Sequence, residues 1–496
     1  MFVGFWNRFC ETVRDKGDTV ALKDSSGSIT YSELEKRICC LSDRIINAFG
    51  SYRGNVPVVI YQNRGIDFVV SMLAVIYAGA YYIPLEKPIP IERVKYICEQ
   101  INPALIISDE DTTELPYDSI PVVTQEKAAW RELDIVLRED DLVYVMFTSG
   151  TAGTPKGVKI SYGNLSNLVF SFWNILYFEL TESVNIGVLS SFGFDASVKM
   201  IYSALTYGHT LVIADKSVIN FGRKIHYFHV ENDIFVSDGT PSHLRLMILQ
   251  KTRNYTNTRY FLVGGENLEF SLLRDFSHFI NRIPIFINVY GPTECCVDIA
   301  YNRVCKRDIL EKDGYVPIGN TFPNNSLEIH DSDNKVIDKP LQKGELWIRG
   351  NQVGYGYVDG ENRGFLFGDN MRSRIYRTGD IAMYNEDGDI VILGRADRQV
   401  KVHGNRIELD EISMVLKKIG NIVDADVEFL EIDGQKILVA LVVAEDEVVD
   451  IHEWNAFLAE RLPKYMLVQK YVIVKKIPLT DRGKIDRASL DAQMKR

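Results

Sequence analysis

The chain has 496 residues, 46% of them hydrophobic, enough to bury large cores in more than one domain. Lys and Arg total 56 against 67 Asp and Glu, a formal net charge of −11 that argues against a nucleic-acid partner and favours small-molecule chemistry. The 7 cysteines include the adjacent pairs Cys39–Cys40 and Cys295–Cys296 but no C-x-x-C spacing of the metal-binding kind, and the odd total fits reduced thiols in the cytoplasm.

From the N-terminus, "MFVGFWNRFCETVRDKGD" acquires charges too early to be a secretory signal and is expected to stay in the mature protein. Residues 68–85 carry no charge and reach the minimum for a spanning helix, but Gly79 and Pro84 divide them. The pattern predicts a buried helix to about Ala78, a turn and the strand "AYYIPL", with no membrane partner. Apolar runs such as "VPVVIY", "ALIIS", "LVYVMF", "TLVIA", "RYFLVGG" and "IFINVYG" alternate with helix-like segments through most of the first 300 residues. That alternation predicts an α/β architecture with mostly parallel sheets. After about Asn302 the strands become shorter and turn-rich ("LEIHDSDNKVI", "GELWIRG", "GDIVILGR"), as in a β-rich subdomain. The last hundred residues alternate strand and helix again, in "DADVEFLEIDGQKILVALVVAE" and "IHEWNAFLAERLP", and have the size of a small α+β domain.

One loop stands out for chemistry: "FTSGTAGTPKGV", residues 147–158. A Walker loop needs a hydroxyl after its lysine and an amide before it, whereas Lys156 stands between Pro155, which has no N–H, and Gly157, which has no hydroxyl. The stretch is therefore either a surface turn or a phosphate loop of another kind.

Further motifs follow in order: "NVYGPTE" (288–294), "YRTGD" (376–380) and "GRADRQVKVHGNRIELDEI" (394–412), with "TYSEL" near the start and "PLTDRGKIDR" (478–487) near the end. As an ordered set they resemble the adenylate-forming enzymes of the amino-acid adenylation type, as in nonribosomal peptide synthetases and D-alanine:carrier-protein ligases. The resemblance covers nearly the whole chain. It implies a large N-terminal domain, residues 1–396, with two mostly parallel α/β subdomains and a β-rich one, hinged to a small α+β domain, residues 397–496. The implied activity is ATP-dependent, magnesium-assisted adenylation of an amino acid, followed by transfer to the phosphopantetheine thiol of a separate carrier protein.

By the same resemblance, Thr148, Ser149, Gly150, Thr151, Thr154 and Lys156 grip the β and γ phosphates of ATP; amides, hydroxyls and glycines there suit an anion-binding concavity. Tyr290 stacks on adenine, Asn288 lies at the adenine edge, and Asp380 meets the ribose hydroxyls beside Arg395. Thr293 and Glu294 point towards the α-phosphate, with Glu294 as the magnesium ligand. Lys484 is the catalytic cation at the reacting carboxylate, and Asp397 is the hinge about which the small domain turns between half-reactions.

In "SFGFDASVKM" the resemblance places Asp195 against the substrate α-ammonium, and it assigns the pocket positions Ala196, Lys199, Asp238, Leu262, Gly264, Val289, Val297 and Asp298. The set resembles that of glutamate-activating domains. A buried Lys199 requires an anion, which a glutamate γ-carboxylate can supply. If Asp238 or Asp298 neutralises Lys199 instead, glutamine becomes the better substrate. D-alanine ligases normally carry a cysteine at the place of Gly264 and no lysine at 199. Competing classes are a ligase of the same fold that forms a CoA thioester or an amide, against which Asp195 speaks in the CoA case, and a non-catalytic nucleotide-binding module, against which Glu294, Asp380 and Lys484 speak together.

Overall fold

The computed structural model describes residues 4–49, 55–110, 115–121, 135–149, 154–250, 256–368, 373–402, 404–432, 435–445, 450–474 and 476–477. The chain divides into two compact units. The first comprises Met1–Pro88, Gln100–Phe147 and Gly157–Ala396, and the second Ile89–Glu99, Thr148–Lys156 and Asp397–Arg496.

Two open sheets carry the first unit. One has the edge-to-edge order Asn320–Thr321, Ala300–Val304, Ile285–Tyr290, Tyr260–Val263, Ile234–Gly239, Asn185–Val188, Thr210–Ile213, Val20–Asp24 and Gly27–Thr30. From Ile285–Tyr290 to Val20–Asp24 the neighbours are parallel, and antiparallel strands close both edges. The other runs Ser119–Pro121, Leu105–Ser108, Pro57–Gln62, Tyr81–Glu86, Leu142–Thr148 and Lys156–Ser161, with its first four strands parallel. Strands such as Thr210–Ile213 and Tyr260–Val263 are buried at every position, as parallel strands covered on both faces must be, which is why they read as unbroken apolar runs. An antiparallel sheet built on Asn325–His330, Gly344–Gly350 and Ile375–Tyr384 forms the β-rich part.

The uncharged stretch is the helix Ile66–Tyr77 followed by the strand Tyr81–Glu86, turned at Gly79, which has φ +76°. Every described side chain of that helix except Asp67 is buried, so the segment lies inside the fold. Among the described residues no helix is long and apolar enough to cross a membrane. The helix Tyr162–Ile175 starts on a reciprocal cap in which the Ser161 hydroxyl accepts from Asn164 N while the Asn164 side chain accepts from Ser161 N.

In the second unit the hairpin Gln399–Val402/Asn405–Glu408 leads into the helix Leu409–Leu416 and a sheet of Ile422–Ile432, Gln435–Ala444 and Lys470–Ile473. The helix Ile451–Ala459 packs the fully buried Trp454 into this core, and Trp454 Nε1 donates to Asn421 Oδ1 at 3.1 Å. None of the 7 cysteines is joined in a disulfide.

Candidate active site

Ligands of open α/β sheets collect at the carboxyl ends of the strands, and Asp238, Leu262 and Val289 among the predicted pocket residues lie at such ends in the first unit. Asp238 and Leu262 are paired on neighbouring parallel strands, and Val263 pairs with Asn288 on the next. Asp195 precedes the helix Ala196–Thr206 at its N-cap position without bonding the helix amides. Burial pushes the Asp195 carboxyl up; a hydrogen bond with the Thr293 hydroxyl and the charge of Lys199 oppose this, while Asp298 and Glu294 reinforce it. A desolvated carboxyl among other acids is a place where an arriving cation gains most.

One helical turn on, Lys199 Nζ lies 3.1 Å from Asp298 Oδ2, with both side chains buried. Asp238 faces elsewhere: its oxygens accept from Leu189 N at 2.6 Å, from Ser190 N at 3.1 Å and from the Ser190 hydroxyl. Of the two carboxylates that the sequence offered as partners for Lys199, the structure pairs Asp298. Leu262, Val289 and Val297 are buried, and Ala196 is partly exposed. Gly264 sits against Val289 so closely that a Cβ would stand 2.8 Å from its Cγ2 and 2.9 Å from its carbonyl oxygen.

The segment that supplies Val297 and Asp298 is strained. Cys296 and Val297 have φ of 54° and 75°, and Asp298 N donates to Cys296 O at 3.1 Å, an i to i+2 bond that closes a γ-turn around a β-branched residue. Gly291 permits the fold-back, since a Cβ there would meet Val297 O at 2.3 Å.

In the same unit, Tyr290, Asp380 and Arg395, the residues expected at the nucleotide, come together. The Tyr290 hydroxyl donates to Asp380 Oδ2, and Arg395 Nη1 reaches Asp380 Oδ1 at 3.0 Å and Thr378 O at 2.6 Å. Burial first, then the Asp380 carboxylate, holds the Tyr290 phenol well above its usual range. Asn288, expected at the adenine edge, donates its amide nitrogen to Pro317 O at 3.0 Å. Thr293 and Glu294 lie in a short 3-10 turn, and Tyr357 donates to Glu294 Oε1 at 2.7 Å. Tyr357 has no signature in the sequence.

In the second unit, the Ser149 hydroxyl donates to Arg406 O at 2.8 Å and accepts from Glu408 N at 3.2 Å. Lys156 is buried, and its charge counts among the influences lowering the Glu408 carboxyl, which burial raises. Thr148 is partly exposed, Thr154 is exposed, and Asp397 Oδ1 accepts from Gln399 N at 3.2 Å. Gly150, Thr151 and Lys484 lie outside the described residues.

Residues 9–358 match the family described as AMP-binding enzyme. The chain is 32% identical to the D-alanine–D-alanyl carrier protein ligase of Staphylococcus haemolyticus, over 95% of this chain and 95% of that protein. It is 31% identical to bacitracin synthase 1 of Bacillus licheniformis over 95% of this chain, but spans only 9 to 12% of the bacitracin, surfactin and gramicidin S synthases that it matches. In fold it resembles the crystal structure of the Vibrio cholerae adenylation domain AlmE in complex with glycyl-adenosine-5'-phosphate, with a TM-score of 0.84 at 21% identity, covering 100% of this chain and 98% of that one.

Proposed function

The chain belongs to the AMP-binding enzyme family and is an adenylate-forming ligase; we propose that it activates an α-amino acid and passes it to the phosphopantetheine thiol of a separate carrier protein. The observation that carries this reading is Asp195, a partly exposed carboxyl at a helix start, one helical turn from a buried Lys199–Asp298 pair. The likeness to the D-alanyl carrier protein ligase supports the carrier as acceptor.

The substrate ammonium pairs with Asp195, which regains in that contact the solvation lost on burial. The substrate carboxylate then attacks the α-phosphorus of ATP. An oxygen–phosphorus bond forms as the bond to the bridging oxygen breaks, pyrophosphate leaves, and no proton is transferred. Thr148, Ser149, Gly150, Thr151, Thr154 and Lys156 receive the β and γ phosphates, Tyr290 and Asn288 the adenine, and Asp380 with Arg395 the ribose. Lys484 adds positive charge where negative charge grows. Glu294, a buried carboxylate of the hard-oxygen type, fits magnesium, which when bound would neutralise phosphate charge. Asp397 is the pivot that withdraws Lys484 before transfer to the thiol, so Lys484→Ala should depress adenylation far more than thiolation from a supplied adenylate.

Glutamate is the proposed substrate, because Lys199 retains ammonium protons beyond the one directed at Asp298 and can take a γ-carboxylate. Glutamine is the second reading, favoured by the 3.1 Å pair, which already neutralises Lys199. ATP–pyrophosphate exchange across the twenty amino acids, acidic analogues and D-alanine tests all of this. Exchange should be strongest with glutamate. A lead for D-alanine would align the pocket with the carrier-protein ligases, and exchange with no amino acid would remove the reading.

A further inference from the structure

The loop between the strand Asn185–Val188 and Asp195 is bonded along its backbone by three buried charged side chains from other strand ends. Arg64, just beyond the strand Pro57–Gln62, donates to Val188 O at 2.6 Å, to Ser190 O and to Ala214 O at 2.7 Å. Asp238 takes the amides of Leu189 and Ser190 and the Ser190 hydroxyl. Glu86, ending the strand Tyr81–Glu86, accepts from Phe192 N and from the Ser191 hydroxyl at 2.8 Å. Arg64 and Glu86 pair at 3.7 Å with each side chain only 2% exposed, and Lys216 reaches Glu86 Oε1 at 2.9 Å. Burial pulls the Arg64 guanidinium down, and Glu86, Asp238 and Asp215 oppose that pull.

Buried charges persist when partners and hydrogen bonds satisfy them, and all three of these bond the same five-residue turn, with Ala214 O completing Arg64 and Lys216 meeting the other oxygen of Glu86. Asp238 bonds two consecutive amides and the hydroxyl of the second residue, which commits three of a carboxylate's roughly four acceptor sites to the loop. We propose that Arg64, Glu86 and Asp238 are positioning residues, a charged clamp that fixes residues 188–192 and through them Asp195, and that Asp238 governs substrate affinity through this loop without reading the substrate side chain. The proposal rests on the reading of Asp195 as the ammonium site; the clamp itself does not.

A residue lining the pocket changes which side chain is preferred, whereas a residue that places Asp195 changes affinity for every amino acid alike. In Asp238→Asn one acceptor becomes an NH₂ group facing an amide donor, so the loop loses at least one charge-assisted bond. KM for both glutamate and glutamine should rise by about tenfold with their kcat/KM ratio unchanged, and KM for ATP should stay within about twofold. Ser190→Ala, which removes one hydroxyl, should move both amino-acid constants the same way by a smaller factor, and it serves if Asp238→Asn does not fold. Hydrogen exchange in the full chain supplies a reading independent of substrate: the amides of Leu189 and Ser190 should exchange at least about tenfold faster in Asp238→Asn, with those of the strand Tyr260–Val263 unchanged. A shifted glutamate-to-glutamine ratio with unchanged affinity for one of them overturns the proposal, as do unaltered loop amides. Fast loop exchange with intact amino-acid KM values overturns the control of affinity by Asp238, whereas loss of pyrophosphate exchange in Asp195→Asn tests the ammonium site separately.

Discussion

Lys199 and Asp298 form a buried ion pair, 3.1 Å between Nζ and Oδ2, so the lysine that the sequence offers to a substrate anion already has a protein counter-charge. Removing either partner strands the other charge in the interior. Lys199→Gln and Asp298→Asn should each cost roughly 3–5 kcal/mol of stability, and the double variant should recover most of that loss. Specificity should move in opposite directions. Lys199→Gln lowers the glutamate-to-glutamine kcat/KM ratio, whereas Asp298→Asn raises it by releasing the ammonium to the substrate. Denaturation midpoints and the two ratios check both statements, and a ratio unmoved in both variants removes the pair from substrate selection.

Gly264 has no room for a side chain. A Cβ would press on Val289 Cγ2 and on the Val289 carbonyl, and the second contact is backbone that cannot rotate away. Gly264→Ala should therefore lose about 1–3 kcal/mol as overpacking. Adding Val289→Ala relieves the side-chain contact but not the carbonyl, so thermal unfolding of the double variant should show partial rescue. Full rescue would mean that the backbone contact is slack.

Much of this was legible in the sequence for a definite physical reason. Strands buried on both faces, such as Thr210–Ile213, announce themselves as apolar runs, and Gly79 gave the turn that splits the uncharged stretch. Two-residue strands such as Asn320–Thr321 and Phe365–Leu366 carry no period and were invisible. Motif order led to Tyr290, Asp380 and Arg395, which meet in the fold, but a motif position does not say where a side chain points. Asp238 is assigned to the pocket by its motif position, and the fold adds what the motif does not tell, that its oxygens bond Leu189 and Ser190. Arg64 and Glu86 were missed, although a charged residue at the carboxyl end of a predicted parallel strand is a signal that could have found Glu86. The γ-turn at Val297 could not be read, because a β-branched residue is the last expected at positive φ.

Tyr290 and Asp380 make a prediction about the nucleotide. Tyr290→Phe keeps the ring and removes the proton donated to Asp380, while Asp380→Asn removes the charge that also meets Arg395. Loss of a charge-assisted contact is worth roughly 1.5–3 kcal/mol, so Asp380→Asn should raise KM for ATP by about tenfold or more. Tyr290→Phe should have a smaller effect, and neither should change KM for the amino acid. Isotopic pyrophosphate exchange at varied ATP measures this, and an amino-acid effect equal to the ATP effect would contradict the assignment.

Two buried histidines predict how the fold responds to acid. His209 Nδ1 accepts from Val184 N at 3.3 Å, which requires a neutral ring, and burial with Lys16 nearby lowers its pKa to about 4. His229 Nε2 lies 2.9 Å from the Ser237 hydroxyl, and burial, reinforced by His226 and His243, lowers it to about 3. In the unfolded chain both titrate near the ordinary value of about 6.5. Below that pH the unfolded state takes up protons that the native state refuses, so stability is complete above about 6.5 and falls as the pH drops towards 4 and 3. Each ring should cost roughly 2 kcal/mol between pH 7 and pH 5. Raised carboxyls such as Asp195 and Glu408 act in the opposite sense, since protonating them favours the native state, so the total slope is a mixture. The difference between proteins isolates the imidazoles. His209→Gln, whose side-chain oxygen can still accept from Val184 N, should lose about 2 kcal/mol less than the parent between pH 7 and pH 5 in urea unfolding. His229→Gln should behave likewise. Unfolding curves that run parallel to the parent's across that interval would show that neither ring is held neutral by the fold.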